Sequence, residues 1–140
     1  MLKAIHSKVQ HGARLALHAI DKTTHLGLRS PEWHHVEVLF LHNHDECVAC
    51  GGKEHLNVHH KKPFHLFPSM ELEPSNLITL CMGEGRHCHL LLGHGDNFQA
   101  WNPEVERDAS AARSLWAKND DVGLEALVTK AKEQRRMGSP

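Results

Sequence analysis

Four cysteines, at positions 47, 50, 81 and 88, constrain this chain more than any other feature. Two residues between thiolates let one tight turn present both sulfurs to a tetrahedral ion, so Cys47 and Cys50 read as half of a zinc site. The second pair is looser, with Met82 to His87 between its members. An even count at such spacing favours zinc over disulfides in a reducing compartment. His87 competes with Cys88 for the fourth position. A redox C-x-x-C is the rival reading of the first pair, but the expected βαβ pattern does not surround it. An ion gathering all four sulfurs would fold the middle of the chain back on itself. A small motif with little core of its own would benefit from that clamp.

The second anomaly is histidine, at 15 of 140 residues. Imidazole is the commonest transition-metal ligand and the usual general base near neutral pH. Most of these side chains must still be bland. Those at 6, 11, 18, 25, 34, 35, 42 and 44 lie in or near helical patterns and read as surface or half-buried residues. The interesting ones are His59 and His60, adjacent on a strand pattern, and His89 and His94, five apart on a short helix that loosens at Gly93.

Patterning places these residues on elements. Leu2, Ile5, Val9, Ala13, Ala16, Leu17 and Ile20 recur at helical steps. Ser30-Pro31-Glu32 reads as a helix start, with Ser as cap and Pro at the first helical position. Trp33, Val36, Leu39 and Phe40 would form that helix's buried face. His55 to His60 alternates as a strand, Pro63 to Pro74 spans a loop, and Leu77-Ile78-Thr79-Leu80 is a second strand ending at Cys81. Cys88 to Gly93 should be a short helix. Asn102-Pro103-Glu104 repeats the cap-and-proline signature for a helix over 103–118. A last helix from Asp121 would bury Val122, Leu124, Leu127, Val128 and Ala131, and Arg135, Arg136 and the residues after them read as frayed. Trp33 and Trp116 read as helix core, Phe98 and Trp101 as packing for the C-terminal helices.

In this order and spacing, Cys47-x2-Cys50, Val58-His59-His60-Lys61-Lys62-Pro63-Phe64, Asn76-Leu77-Ile78-Thr79-Leu80-Cys81 and Cys88-His89 resemble the zinc-containing branch of the HNH endonucleases. The resemblance covers about residues 45–95. It implies an α+β fold: a ββα-metal core with a four-cysteine zinc clamp at 45–96, flanked by helical extensions at 1–44 and 97–140 within one compact domain. It implies that His60 is the general base and that Asn76 holds the loop and orients that base. His59 and His89 would be ligands of a catalytic divalent metal, and His94 resembles the additional ligand some members carry, one residue further along than usual. Cys47, Cys50, Cys81 and Cys88 would hold the structural zinc, the last two further apart than the family's usual second pair. Three imidazoles without a carboxylate suit Zn, Ni, Mn or Co better than Mg, although the family also uses Mg. Lys61, Lys62 and Arg86 are candidate phosphate contacts, and His65 sits in the loop nearby.

Double-stranded DNA is the partner the resemblance implies. Charge argues against tight nonspecific binding, since the net charge is −1. Residues 1–35 carry five Lys/Arg against two Asp/Glu, whereas residues 36–100 carry four against eight. A second copy of the chain or a partner protein would then supply affinity that this surface lacks. The alternative reading is a zinc-stabilised nucleic-acid-binding module without hydrolysis. No apolar run is long enough to span a bilayer, and no signal-peptide core is visible, so the expectation is a cytoplasmic protein without membrane contact.

Overall fold

The computed structural model describes residues 29–83 and 86–138. The helix expected over 2–20 lies outside them. Among the described residues ten elements follow one another. They are α1 (Trp33–Asn43), β1 (Leu56–His60), two 3-10 turns (Pro68–Met70 and Pro74–Asn76), β2 (Leu77–Cys81), a short helix α2 (His89–Gly93), β3 (Ala100–Trp101), α3 (Val105–Ala117), α4 (Asp121–Gln134) and β4 (Arg136–Met137). The fold is α+β, with two small antiparallel sheets, β1–β2 and β3–β4, and a cluster of four cysteines. Among the described residues no helix is long and apolar enough to cross a membrane.

β1 and β2 pair from Leu56↔Cys81 to His60↔Leu77. All five residues of β2 are buried, which accounts for its unbroken apolar run: neither face of this strand meets water. On one side Leu77 joins Val58, Leu72 and the Val36 and Phe40 face of α1. On the other, Ile78 and Leu80 pack with Cys47, Cys88, Leu92 and the small residues Ala109, Ala112 and Ala131 of α3 and α4, a cluster that Cys81 joins from the strand's end. Alanine at those positions lets the two helices close on each other and on the cysteine cluster. The sheet therefore separates two apolar clusters. Among the described residues the first holds no set of metal donors, whereas the second is built around one.

Buried polar contacts fix α3 and α4 against α2. Asn102 donates to the Leu92 carbonyl (2.9 Å) and to Asp108 (2.8 Å), and Gln134 donates to Asn102 (2.8 Å) and also to Asp108. Asn102 and Asp108 are shut off from solvent, so a network with every member bonded is what makes their burial tolerable.

Several boundaries and faces differ from those read in the sequence. α1 begins at Trp33 because the Ser30 hydroxyl accepts the Glu32 amide within a preceding turn, rather than capping the helix directly. α3 likewise begins at Val105, two residues past Pro103, with Asn102 accepting the Glu104 amide (3.0 Å). Val122 is 78% exposed, in the first turn of α4, and does not join the apolar face. Arg136 is not frayed: it pairs with Trp101 in the β3–β4 ladder, and Gly138 donates to the Gln99 carbonyl. Two residues are too few to show alternation, so a strand of that length leaves no sequence signal.

Candidate functional site

The cysteine cluster is built from three segments. Cys47 and Cys50 sit on a knuckle closed by Gly51 N–H to the Cys47 carbonyl (2.8 Å) and Cys47 N–H to the Gly52 carbonyl (2.7 Å). Arg113 of α3 braces it, donating to the Cys47 carbonyl (3.1 Å) and to Glu46 (3.0 Å). Cys81 ends β2 and Cys88 precedes α2. All four sulfurs lie within 4.8 Å of one another. The Cys50 and Cys81 sulfurs are 3.7 Å apart, close to the roughly 3.8 Å edge of a tetrahedron whose metal–sulfur bonds are about 2.3 Å. A thiol of Cys88 donating to the Cys47 sulfur draws Cys47 down to about 5 and, together with burial, pushes Cys88 far up. The donor set fits a structural metal such as zinc: four soft ligands, three of them buried, with one already inclined to be a thiolate. The fourth donor is Cys88 and not His87; His87 has a left-handed backbone (φ 43°) and lies outside the donor group.

One residue past Cys88, His89 belongs to a second cluster. His59, His89 and His94 each offer a ring nitrogen, and these atoms also lie within 4.8 Å of one another. His59 comes from β1, where its side chain faces away from that of His60 because strand side chains alternate. His89 and His94 stand at the ends of α2. Residues five apart sit about 140° around an ordinary α-helix, on different faces. Here the turn is widened to the π-helical form, with the His94 amide donating back to the His89 carbonyl (3.2 Å), and this brings the two rings onto one side. Such widened turns are frequent at functional sites. Gly93 completes the approach: a Cβ there would stand 3.0–3.2 Å from three atoms of the His59 ring.

The ring protons are assigned by their partners. His94 Nδ1–H donates to the Ala100 carbonyl (2.7 Å), and His89 Nδ1 meets the Met82 sulfur at 3.0 Å. Both acceptors lack a proton of their own, so each ring keeps its lone pair on Nε2. Those two nitrogens face each other at 3.2 Å. The third, His59 Nε2, is buried without a hydrogen-bond partner. Two facing lone pairs with an unpartnered buried ring nitrogen beside them are the arrangement a cation would satisfy. The His89–His94 distance of 3.2 Å matches the roughly 3.0–3.5 Å expected between nitrogens on one ion. Burial, joined by repulsion from neighbouring imidazoles, holds His59 well below the usual range and His89 at about 4. Burial lowers His94 as well. Neutral imidazoles are what a divalent ion requires.

His60 lies on the other face of the strand. Its Nε2–H donates to the main-chain carbonyl of Glu71 (2.8 Å), which leaves Nδ1 as the basic nitrogen. Burial lowers it to about 4, with the Arg29 charge adding to the effect and the Glu71 carbonyl opposing it. Asn76 does not reach His60. Its amide bridges the Lys62 main chain on both sides (2.9 and 3.0 Å) and donates to the Met70 carbonyl (3.2 Å). It therefore shapes the loop that carries the Glu71 carbonyl, and orients His60 through it.

Other side chains stand elsewhere than the sequence suggests. Trp33 packs against the α1 cluster as expected, but its ring also lies 4.5 Å from that of His60. Arg29 stacks over Trp33 (4.7 Å) and over Phe64 (4.4 Å), and its Nε pairs with the buried Glu71 carboxylate at 3.5 Å. Phe98 is 56% exposed and lies 5.1 Å from the His94 ring, rather than packing the C-terminal helices. Lys61 is paired with Glu106 (3.0 Å), Lys62 lies over Phe67, and Arg86 lies over Trp116 on the cysteine side. His65 contacts the Gly138 carbonyl. Arg29, whose charge acts on His60, is a residue that sequence reading missed. Its partners Trp33, Phe64 and Glu71 are scattered along the chain, and stacked cations leave no periodic trace.

No protein-family model matches this chain, and neither does any curated protein or solved structure.

Proposed function

We propose that this chain is a metal-dependent endonuclease of the HNH type, hydrolysing phosphodiester bonds of double-stranded DNA. In this reading β1, the loop, β2 and α2 are its ββα-metal core. The observation that carries the reading is the division of labour between neighbours on β1. His59 turns an unpartnered nitrogen toward His89 and His94, while His60, pinned at Nε2 by a carbonyl, presents a neutral Nδ1 on the opposite face.

His60 would take a proton from water at Nδ1, the imidazolium charge spreading to an Nε2–H already bonded to the Glu71 carbonyl. A positioned base of this kind contributes about 10²–10⁴-fold. A divalent ion held by His59, His89 and His94 would polarise the phosphoryl oxygen and stabilise the leaving 3′-oxygen. Arg29, whose guanidinium carbon lies over the Trp33 and Phe64 rings, would offer a planar fork for a phosphate oxygen pair. Attack by water with loss of the 3′-oxygen leaves 5′-phosphate and 3′-hydroxyl ends. The cysteine cluster would hold zinc and take no part in the chemistry, since four protein ligands leave no open position.

Supercoiled plasmid incubated with the zinc-loaded chain and a panel of Mn, Ni, Co, Zn, Mg and Ca tests this directly. Cleavage by the parent that is lost in His60→Ala is the expected result, with Mn or Ni stronger than Ca. Plasmid retention without cleavage under every metal would instead favour a zinc-stabilised binding module and overturn the proposal.

A further inference from the structure

His94 is followed by two left-handed residues, Gly95 (φ +58°) and Asp96 (φ +64°). The C-terminal arm is moulded to that turn. Arg135 donates to the Gly95 carbonyl, and Lys132 pairs with Asp96 at 3.2 Å. A Cβ at Gly95 would stand 2.8 Å from the Ala131 carbonyl oxygen and 3.0 Å from Arg135 Cβ, so only glycine lets the arm close. Ala100, whose carbonyl fixes the His94 ring, is paired with Met137 of β4. The contacts that brace the turn after His94 from outside thus come from residues 131–137.

We propose that the arm Lys132–Met137 is a clamp whose docking sets the affinity of the His59–His89–His94 triad for a divalent transition-metal ion, with Arg135 as its positioning residue. The inference rests on reading that triad as a metal site. A triad binds tightly only when its third ring is held before the ion arrives. His59 is fixed by a five-residue strand and His89 by the body of α2, with its Nδ1 on Met82. His94 ends the widened turn, and its ring is held by the carbonyl of Ala100, a residue paired in a two-residue ladder too short to be stable by itself. Opening of such an arm belongs to the low end of local stabilities. When it opens, Ala100, whose carbonyl sets the His94 tautomer and orientation, loses its β4 partner. Linkage makes the effect mutual: an ion that favours the closed triad holds the arm down by the same factor. The cysteine cluster draws its donors from segments 47–50 and 81–88 and stays loaded whether the arm is docked or not.

Cobalt(II) is the probe, added to the zinc-loaded full chain. Its visible absorption reports an imidazole site, and a sulfur-to-cobalt band in the near ultraviolet would betray exchange into the cysteines. Removing a group that orients a ligand typically costs about 10–100-fold in affinity. Arg135→Ala should therefore weaken the imidazole site about tenfold or more, and Arg135→Lys, which keeps a donor for the Gly95 carbonyl, should restore most of it. Zinc content should remain one per chain throughout. The parent supplies a second readout that needs no variant: cobalt should slow tryptic cleavage after Arg135 and Arg136. Equal cobalt affinity in Arg135→Ala would overturn the clamp, as would an unchanged cleavage rate in cobalt-loaded parent. Failure of the parent to bind cobalt at any imidazole site would overturn the triad reading itself, and the clamp with it.

Discussion

The two donor clusters differ in almost every respect although Cys88 and His89 are neighbours in the chain. The cysteine cluster offers four soft donors, three of them buried, inside the main apolar core and braced by α3. The histidine cluster offers three, with only His59 fully buried and the exposed Phe98 at its rim. Four protein ligands close a coordination sphere, whereas three leave it open to water or substrate. One step along the chain thus separates a site suited to holding the fold from a site suited to chemistry. The short helix α2 is their common wall, and its widened turn orients the histidine side alone. Stability and reactivity should therefore be separable by substitution.

The largest effect should come from the cysteine side. Zinc binding in small finger domains amounts to about 10–16 kcal/mol, as much as the whole stability of an ordinary domain. Cys88→Ser should lose zinc and its cooperative unfolding transition, read by zinc stoichiometry and thermal circular dichroism. A Cys88→Ser protein with the parent's melting temperature would break the comparison at its root.

Next in size is His60→Ala, which should cost about 10²–10⁴-fold in plasmid cleavage while zinc content and melting temperature stay at parental values. A large loss of stability in that variant would mean that the Trp33–His60 stack belongs to the core and not to the site.

Gly93→Ala tests the common wall. The added methyl would meet the His59 ring at 3.0–3.2 Å, and the neighbour that must yield is a proposed ligand. Metal affinity at the triad should fall about 10–100-fold, the size of effect seen when a ligand's support is disturbed. The cysteine cluster, which shares no ligand with the triad, should keep its zinc. Isothermal titration with Mn or Ni measures the first and zinc analysis the second. Parallel loss at both clusters would show that α2 transmits strain and that the two sites are not separable.

How much of this is legible in the sequence depends on how local each signal is. The cysteine spacing, the alternation at 56–60 and the apolar run at 77–81 are local, and they place the cluster and both strands. The nearness of His94 to His89 is not local in that sense, because five-residue spacing is wrong for an α-helix and only the widened turn corrects it. In the sequence Asn102 reads as a helix cap, and nothing marks Asp108 or Gln134 as its buried partners. Those partners lie 6 and 32 residues away, and polar residues carry no burial signal of their own. Trp33 is legible as part of the apolar face of α1, but nothing in the sequence places its ring beside His60. Arg29 beside Trp33 becomes meaningful only once Phe64 and Glu71 are brought to it by the fold.

The smallest effect should come from Glu71→Gln, and its smallness is informative. Glu71 offers His60 its main-chain carbonyl, which the substitution leaves untouched. Its carboxylate serves another purpose, accepting the Ser30 amide at 3.2 Å and facing Arg29, while Oε1 has no hydrogen-bond donor. Burial raises its pKa, opposed by the Ser30 amide and by Arg29. A carboxyl whose folded pKa is raised holds its proton more tightly folded than unfolded, so its contribution to stability falls as pH rises through that window. Glutamine has no such dependence and keeps an oxygen for Ser30. The variant should therefore gain on the parent in melting temperature as pH rises from about 4 to 7. Its cleavage rate should remain within about threefold of the parent's, less than about 1 kcal/mol on the barrier. A loss as large as that of His60→Ala would mean that the base is aligned through the Glu71–Arg29 pair, and not through the main chain.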